Sequence, residues 1–185
     1  MTAEWRTIRV GDLVAAGILV ISDGYRMRNS ELGPTGIPFV RGGDMQDGWI
    51  QTETEDCIRP ELRDRVRVKI ARPGDVAFIT KGNVGRVGRL REGQPEIVFA
   101  PQVAYWRSLD HEALDPGFVF HLLRGPSFQA QLNAVKTHGA MVADYVSITQ
   151  QHDFRLDLPA GKTQRAIAHI LGKIRSSDRF RKDGR

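Results

Sequence analysis

The sequence predicts an α+β fold: a β-rich body, then a helix pair, then an amphipathic helix at the C-terminus. Three observations carry this. Short apolar and β-branched runs recur at irregular spacing to about residue 107, each bounded by Gly, Pro or Asp. Two helical segments follow, on either side of Gly125-Pro126. Ile167, Ile170, Leu171 and Ile174 then fall at i, i+3, i+4 and i+7, which places them on one helical face. Strands first and helices after is the order of segregated α+β packing. A chain of 185 residues suffices for one such domain and a short appendage.

Taken in order, residues 5–10 read as a strand, 12–16 as a brief helix closed by Gly17, and 18–22 as a second strand. The stretch 23–36 (DGYRMRNSELGPTG) is turn-rich and reads as an exposed loop. Strands are expected over 39–41, 65–70, 76–80, 86–90 and 103–106. Asp115 and Pro116 form an N-cap and first-turn pair for a helix over 117–124, and a second helix follows over 127–135. Residues 136–153 read as polar and irregular, and 154–158 alternates like a last strand stopped by Pro159. The expected organisation is one domain over 1–159, a helix over 160–176, and a basic, disordered tail over 177–185.

Charge narrows the function classes less than the total suggests. The net charge is +5, but residues 1–159 hold 19 Lys/Arg against 20 Asp/Glu, and residues 160–185 hold 8 against 2. The body is near neutral, so binding to a polyanion has to rest on local clustering. No stretch approaches the roughly 18 apolar residues of a membrane span. The N-terminal segment lacks the apolar core of a secretory signal and Cys57 is a lone cysteine, so a cytoplasmic location is expected.

Catalytic patterns are missing. No Asn/Asp-Pro-Pro-aromatic tetrad for adenine methylation occurs, and none of the six lysines has an acid two positions before it, as a nuclease metal site would need. The five histidines lie ten or more residues apart, which leaves no His-x-x-x-His pair for zinc. Gly82, Gly85 and Gly88 are spaced G-x-x-G-x-x-G, which is neither the dinucleotide nor the P-loop pattern. A non-enzyme with no metal and no cofactor of its own is expected.

Candidate contacts fall in three places. Over residues 74–91, Lys81, Asn83, Arg86, Arg89 and Arg91 occur with no acid between Asp75 and Glu92, in a glycine-rich hairpin. Such a ribbon suits phosphates or a groove edge, and it equally suits a solvated hairpin with scattered arginines. Arg26, Arg28 and Asn29 in the first loop are residue types that pair with guanine and adenine edges. Lys136 and His138 are the polar handles of a third segment.

Six strings, in one register, resemble the target-recognition domains of type I restriction-modification specificity (S) subunits. They are GIPFVRGGDM (36–45), RPGDVAFITKGNVGRVG (72–88), APQVAYWRS (100–108), FVFHLLRGPSFQAQL (118–132), VSITQQHDFRLDLP (146–159) and KTQRAIAHILGKI (162–174). The last resembles the start of the family's long spacer helix. Thr163 stands where the family usually has glutamate, and one domain is present where the family usually has two.

The resemblance implies a β-rich target-recognition domain that reads double-stranded DNA and directs a partner adenine methyltransferase (modification) subunit, and with it a restriction subunit. It implies that AdoMet, Mg²⁺ and ATP belong to those partners. A single-domain chain would act as a homodimer or with a second specificity half. Ile167, Ile170, Leu171 and Ile174 would then be a seam for a partner helix, although a terminal helix with such a stripe can also fold back on its own core. The alternative function is an interaction module that binds or blocks a restriction-modification complex without reading DNA.

Overall fold

The computed structural model describes residues 4–135 and 144–182, with side chains through Lys173. The elements in chain order are β1 (Arg6–Arg9), α1 (Val10–Ala15), β2 (Leu19–Asp23), β3 (Leu32–Gly33), β4 (Ile37–Val40), β5 (Met45–Gln46), β6 (Trp49–Ile50) and β7 (Cys57–Ile58). They continue with α2 (Arg63–Val66), β8 (Ile70–Ala71), β9 (Val76–Ile79), β10 (Val87–Arg89), β11 (Ile97–Phe99) and β12 (Val103–Ser108). The helical part is α3 (Pro116–Arg124), α4 (Pro126–Val135) and α5 (Ile148–His152), then β13 (Arg155–Leu158) and α6 (Gly161–Lys182).

Two sheets carry the fold. The first, in order β10-β9-β12-β2, is antiparallel throughout. The second runs β3-β7-β4-β11-β8, with β4 and β11 parallel. Alternation along β9 explains their stacking: Val76 and Phe78 face the helices, while Ala77 and Ile79 face the second sheet beside Val40, Phe99 and Tyr105. Both faces of β9 are therefore buried, which is why its residues form a continuous apolar run. Behind the first sheet, Phe78, Trp106 and Phe128 meet edge to face at 5.6–5.9 Å between centroids. The α+β class is as expected. β1 pairs with β13, bringing Arg6 opposite Leu158.

Gly24 joins the sheets. A Cβ there would collide with the Ala100 carbonyl, and this closeness lets Gly24 and Tyr25 donate their N–H groups to Val103 and Phe99 at 2.8 and 2.7 Å.

Four local expectations are corrected. Residues 65–69 are not a strand but the end of α2 and a 3-10 turn, and only Ile70 enters a strand, β8. Val66 and Ile70 are buried and Val68 is 73% exposed, so the apolar spacing in use is i, i+4 rather than alternation. Within 136–153, Ser147 caps α5 by accepting from Gln150 N–H, and the fully buried Gln151 accepts from the Trp106 indole at 2.8 Å. Gln150-Gln151-His152 has the composition of a surface segment, so no local pattern marks Gln151 as buried. The strands β3, β5, β6, β7 and β11 also went unread, being two or three residues long. Finally, α6 continues to Lys182 rather than ending at Ser176, since no Pro or Gly interrupts the chain between Gly172 and Gly184.

Candidate nucleic-acid interface

The ends of several strands build one rim. β4, β9 and β11 finish there and β12 begins there, so the turn after β4, the tip of the β9–β10 hairpin and the bend at 100–102 are neighbours. Thr80 donates its N–H to the Gln102 carbonyl at 2.8 Å, and Ala100 donates to Val40 at 2.8 Å. Gly42 lies against the Gln102 and Ile79 side chains. Lys81 pairs with Tyr145 in an isolated bridge, and Gly82 donates to the Asp144 carbonyl at 3.0 Å. Lys81, Asn83 and Tyr145 are exposed on this rim.

Next to it sits the turn Arg41-Gly42-Gly43-Asp44. Arg41 N–H donates to the Asp44 carboxylate at 2.7 Å, and Asp44 N–H donates back to the Arg41 carbonyl at 3.0 Å. The Arg41 guanidinium pairs with Asp56 at 2.7 Å and lies over the Phe39 ring, 5.2 Å from its centroid. Arg41, Asp56, Glu55 and Asn29 line an open cleft. Neither Arg41 nor Gln102 was singled out from the sequence. The signal for the first was present in Arg-Gly-Gly-Asp, an arginine beside two residues without side chains.

The loop bearing Arg26, Arg28 and Asn29 is fastened by a buried acid. Glu31 accepts from Arg28 N–H at 2.8 Å, from the Tyr25 hydroxyl at 3.2 Å, and pairs with Arg65 at 2.9 Å. The Arg28 N–H bond, then Arg65 and Tyr25, hold the Glu31 carboxyl below the ordinary range against the opposing effect of burial. Arg26, Arg28 and Asn29 themselves are exposed.

The hairpin residues that the sequence groups together are separated by the fold. Lys81 and Asn83 are at the tip. Arg86 turns inward and donates to the Met45 carbonyl at 2.9 Å. Arg89 packs beside Gly117 of α3 with its Nε buried. Arg91 lies at the opposite end of the sheet, next to the 72–75 turn, where Gly74 donates to Leu90 at 2.9 Å. These side chains do not form one continuous ribbon: β10 has α3 on one face and β5–β6 on the other, and Arg86, just before it, and Arg89, at its end, both make contacts within the body. Lys136 and His138 lie outside the described residues.

His121 and Cys57 are among the other perturbed titratable groups. His121 on α3 is held below its usual value by burial and by Arg124 and Arg89. Burial, with Asp56 adjacent, raises the Cys57 thiol, the wrong direction for a nucleophile.

The C-terminal helix is anchored at its start. Gln164, 1% exposed, accepts from Asp115 N–H at 3.0 Å and donates to the Ala113 and Pro159 carbonyls at 3.0 and 2.9 Å. Ile167 packs on the domain's own core together with Ala168, so it is not part of an open seam. Ile170 and Leu171 are exposed, and the Ile174 side chain lies outside the described ones.

No protein-family model and no curated protein matches the sequence. Solved structures do match. A chain from a structure of complex assembly and conformational transition in the type I R-M system superposes with a TM-score of 0.70 at 20% identity, over 96% of this chain and 40% of that one. The chain has the fold of one part of a type I restriction-modification S subunit. The S subunit from M. genitalium matches with a TM-score of 0.64 at 17% identity, over 95% of this chain and 40% of its own. The HsdS subunit from Thermoanaerobacter tengcongensis matches at 0.65 and 20%, over 94% and 38%. The chain thus spans about 40% of the length of the S subunits it resembles. Among the described residues no group of three or more His, Cys, Asp or Glu is placed to hold a metal ion, and no helix is long and apolar enough to cross a membrane.

Proposed function

We propose that this chain is a DNA-recognition module of a type I restriction-modification complex. It reads one half of a bipartite double-stranded target and directs a partner adenine methyltransferase, and through it the endonuclease, to that site. The chemistry and its cofactors belong to the partner subunits, and this chain contributes no catalytic group. The observation that carries the reading is the fold shared with S subunits over 95% and 94% of the chain. The rim at one end of both sheets supports it, because Lys81, Asn83, Arg26, Arg28 and Asn29 are exposed on loops braced by the β scaffold. Ile170 and Leu171 of α6 offer an apolar strip to a partner helix.

The test is a methylome map of a host expressing this chain with its modification subunit. A new N6-methyladenine motif that disappears without the chain is expected, and a symmetric bipartite motif would identify a homodimer. Confirmed assembly with no new motif would overturn DNA reading in favour of a blocking module.

A further inference from the structure

We infer that the Arg41-Gly42-Gly43 turn is where a DNA strand comes closest to this protein, with Arg41 and Gln102 as specificity-determining side chains. The inference rests on the DNA-recognition reading above and places that recognition on residues outside the hairpin and first-loop sets.

The first argument is what the glycines are for. Gly74, in a turn of the same hydrogen-bond pattern, has a φ of +96° and so needs to be glycine. Gly24 needs to be glycine because the Ala100 carbonyl fills the space a Cβ would occupy. Gly42 and Gly43 meet neither requirement. Neither is among the residues with positive φ. A Cβ on Gly43 would meet nothing within 4 Å, and one on Gly42 would make only ordinary contacts, at 3.4 Å to Gln102 and 3.6 Å to Ile79. Two successive glycines loosen the unfolded chain and cost stability relative to alanine. Nothing within the fold requires these two, so the bare backbone they leave on the rim suits a molecule that approaches it closely.

The second argument is what flanks them. Arg41 is fixed in three ways: its N–H to Asp44, its guanidinium to Asp56, and its plane over Phe39. A guanidinium oriented by a carboxylate is suited to a bidentate contact with guanine. The Gln102 main chain is held by Thr80, through both N–H and hydroxyl at 2.8 and 3.1 Å, while its side chain lies over Gly42. Glutamine is the residue type for an adenine edge. Glu55 and Asp56 share the cleft with Arg41, so the local charge is not that of a phosphate clamp. Base edges are the better match, with the exposed Lys81 on the adjoining tip positioned for the phosphates.

The experiment uses the chain assembled with its modification subunit, comparing wild type with Gly43→Leu, Arg41→Lys and Gln102→Ala. Melting temperature, co-purification, affinity for cognate and unrelated duplexes, and the methylated motif are measured together. Gly43→Leu is expected to keep its melting temperature and its assembly while cognate affinity falls at least about ten-fold. Arg41→Lys is expected to keep non-specific affinity and lose about ten- to a hundred-fold discrimination at one base pair. Gln102→Ala is expected to relax a second position. If wild type directs methylation and all three variants retain its motif and affinity, this inference falls and the DNA-reading proposal stands. If wild type directs no methylation, both fall. Loss of assembly by folded Gly43→Leu, with DNA affinity intact, would mark the turn as a protein contact and overturn the assignment.

Discussion

The turns Arg41–Asp44 and Arg72–Asp75 share one hydrogen-bond diagram and differ in everything around it. In each, the arginine N–H donates to the aspartate three residues on, at 2.7 and 2.9 Å, and the aspartate N–H donates back to the arginine carbonyl, at 3.0 and 3.1 Å. Asp75, however, is 1% exposed and is gripped by Arg107 through both carboxylate oxygens, at 2.8 and 2.6 Å. That pairing is the main cause of the raised Arg107 pKa. Asp44 is half-buried, and the guanidinium beside it is turned to Asp56 on the surface. The same local device therefore fastens the core at one end of the sheets and displays an arginine at the other. What surrounds a motif decides which task it serves.

The comparison breaks most visibly at its acids. Asp75→Ala leaves the Arg107 guanidinium, whose side chain is only 20% exposed, without its carboxylate and with only the Ile70 carbonyl to donate to, and is expected to cost about 3–5 kcal/mol in urea denaturation. Asp44→Ala removes hydrogen bonds at a wetter turn and should cost about 1 kcal/mol. Equal losses would show that the two turns are energetically alike. The glycines sharpen the same contrast. Gly74→Ala forces a side chain into φ of +96° and should cost at least about 1 kcal/mol, whereas Gly43→Ala should be neutral or stabilise by about 0.4–1 kcal/mol. Thermal melts of the pair check this directly, and a destabilised Gly43→Ala would remove the reason for looking outside the fold for its role.

Acid titration probes a third turn of this kind, at Arg28 and Glu31. Because the folded carboxyl is held below its unfolded value, its stabilisation is present above the unfolded value, near about 4.3. It is lost as pH falls through the lower folded value. Glu31→Gln should flatten the acid limb of stability against pH, and an unchanged limb would contradict the bracing described. The smallest effect is expected from His121, which is also held low when folded. Here the unfolded state takes up a proton near about pH 6.5 that the folded state refuses, so stability should fall as pH drops through that value. His121→Gln should remove this slope, which is measurable as melting temperature between neutral and mildly acidic buffers.

Local chemistry was legible where it was self-contained. The Asp115 cap accepts from Phe118 N–H at 2.7 Å, with Pro116 opening α3, as those two residues dictate. Gly17 closes α1 at a φ of +70°. The six strings resembling the S-subunit family lie in elements whose fold matches S subunits. The strand expected at 65–70 failed because Val66, Val68 and Ile70 fit alternation as well as a turn, and only the exposure of Val68 separates the two.

The candidate surface was the least legible part. Arginines at 86, 89 and 91 look alike in sequence, yet they go to the Met45 carbonyl, to the underside of α3 and to the far end of the sheet. Gly42 and Gln102 are 60 positions apart and lie side by side only because β4 and β11 run parallel while β9 and β12 are adjacent. The sequence by itself determined the α+β class, the buried strand β9, the helix pair and the apolar face of α6, since these follow from periodicity, capping and breakers acting within a few residues. Tertiary structure alone decided which cations are exposed and which ends of the strands share a rim. Strand pairing joins residues far apart in the chain, and no local pattern records what will lie over a given side chain.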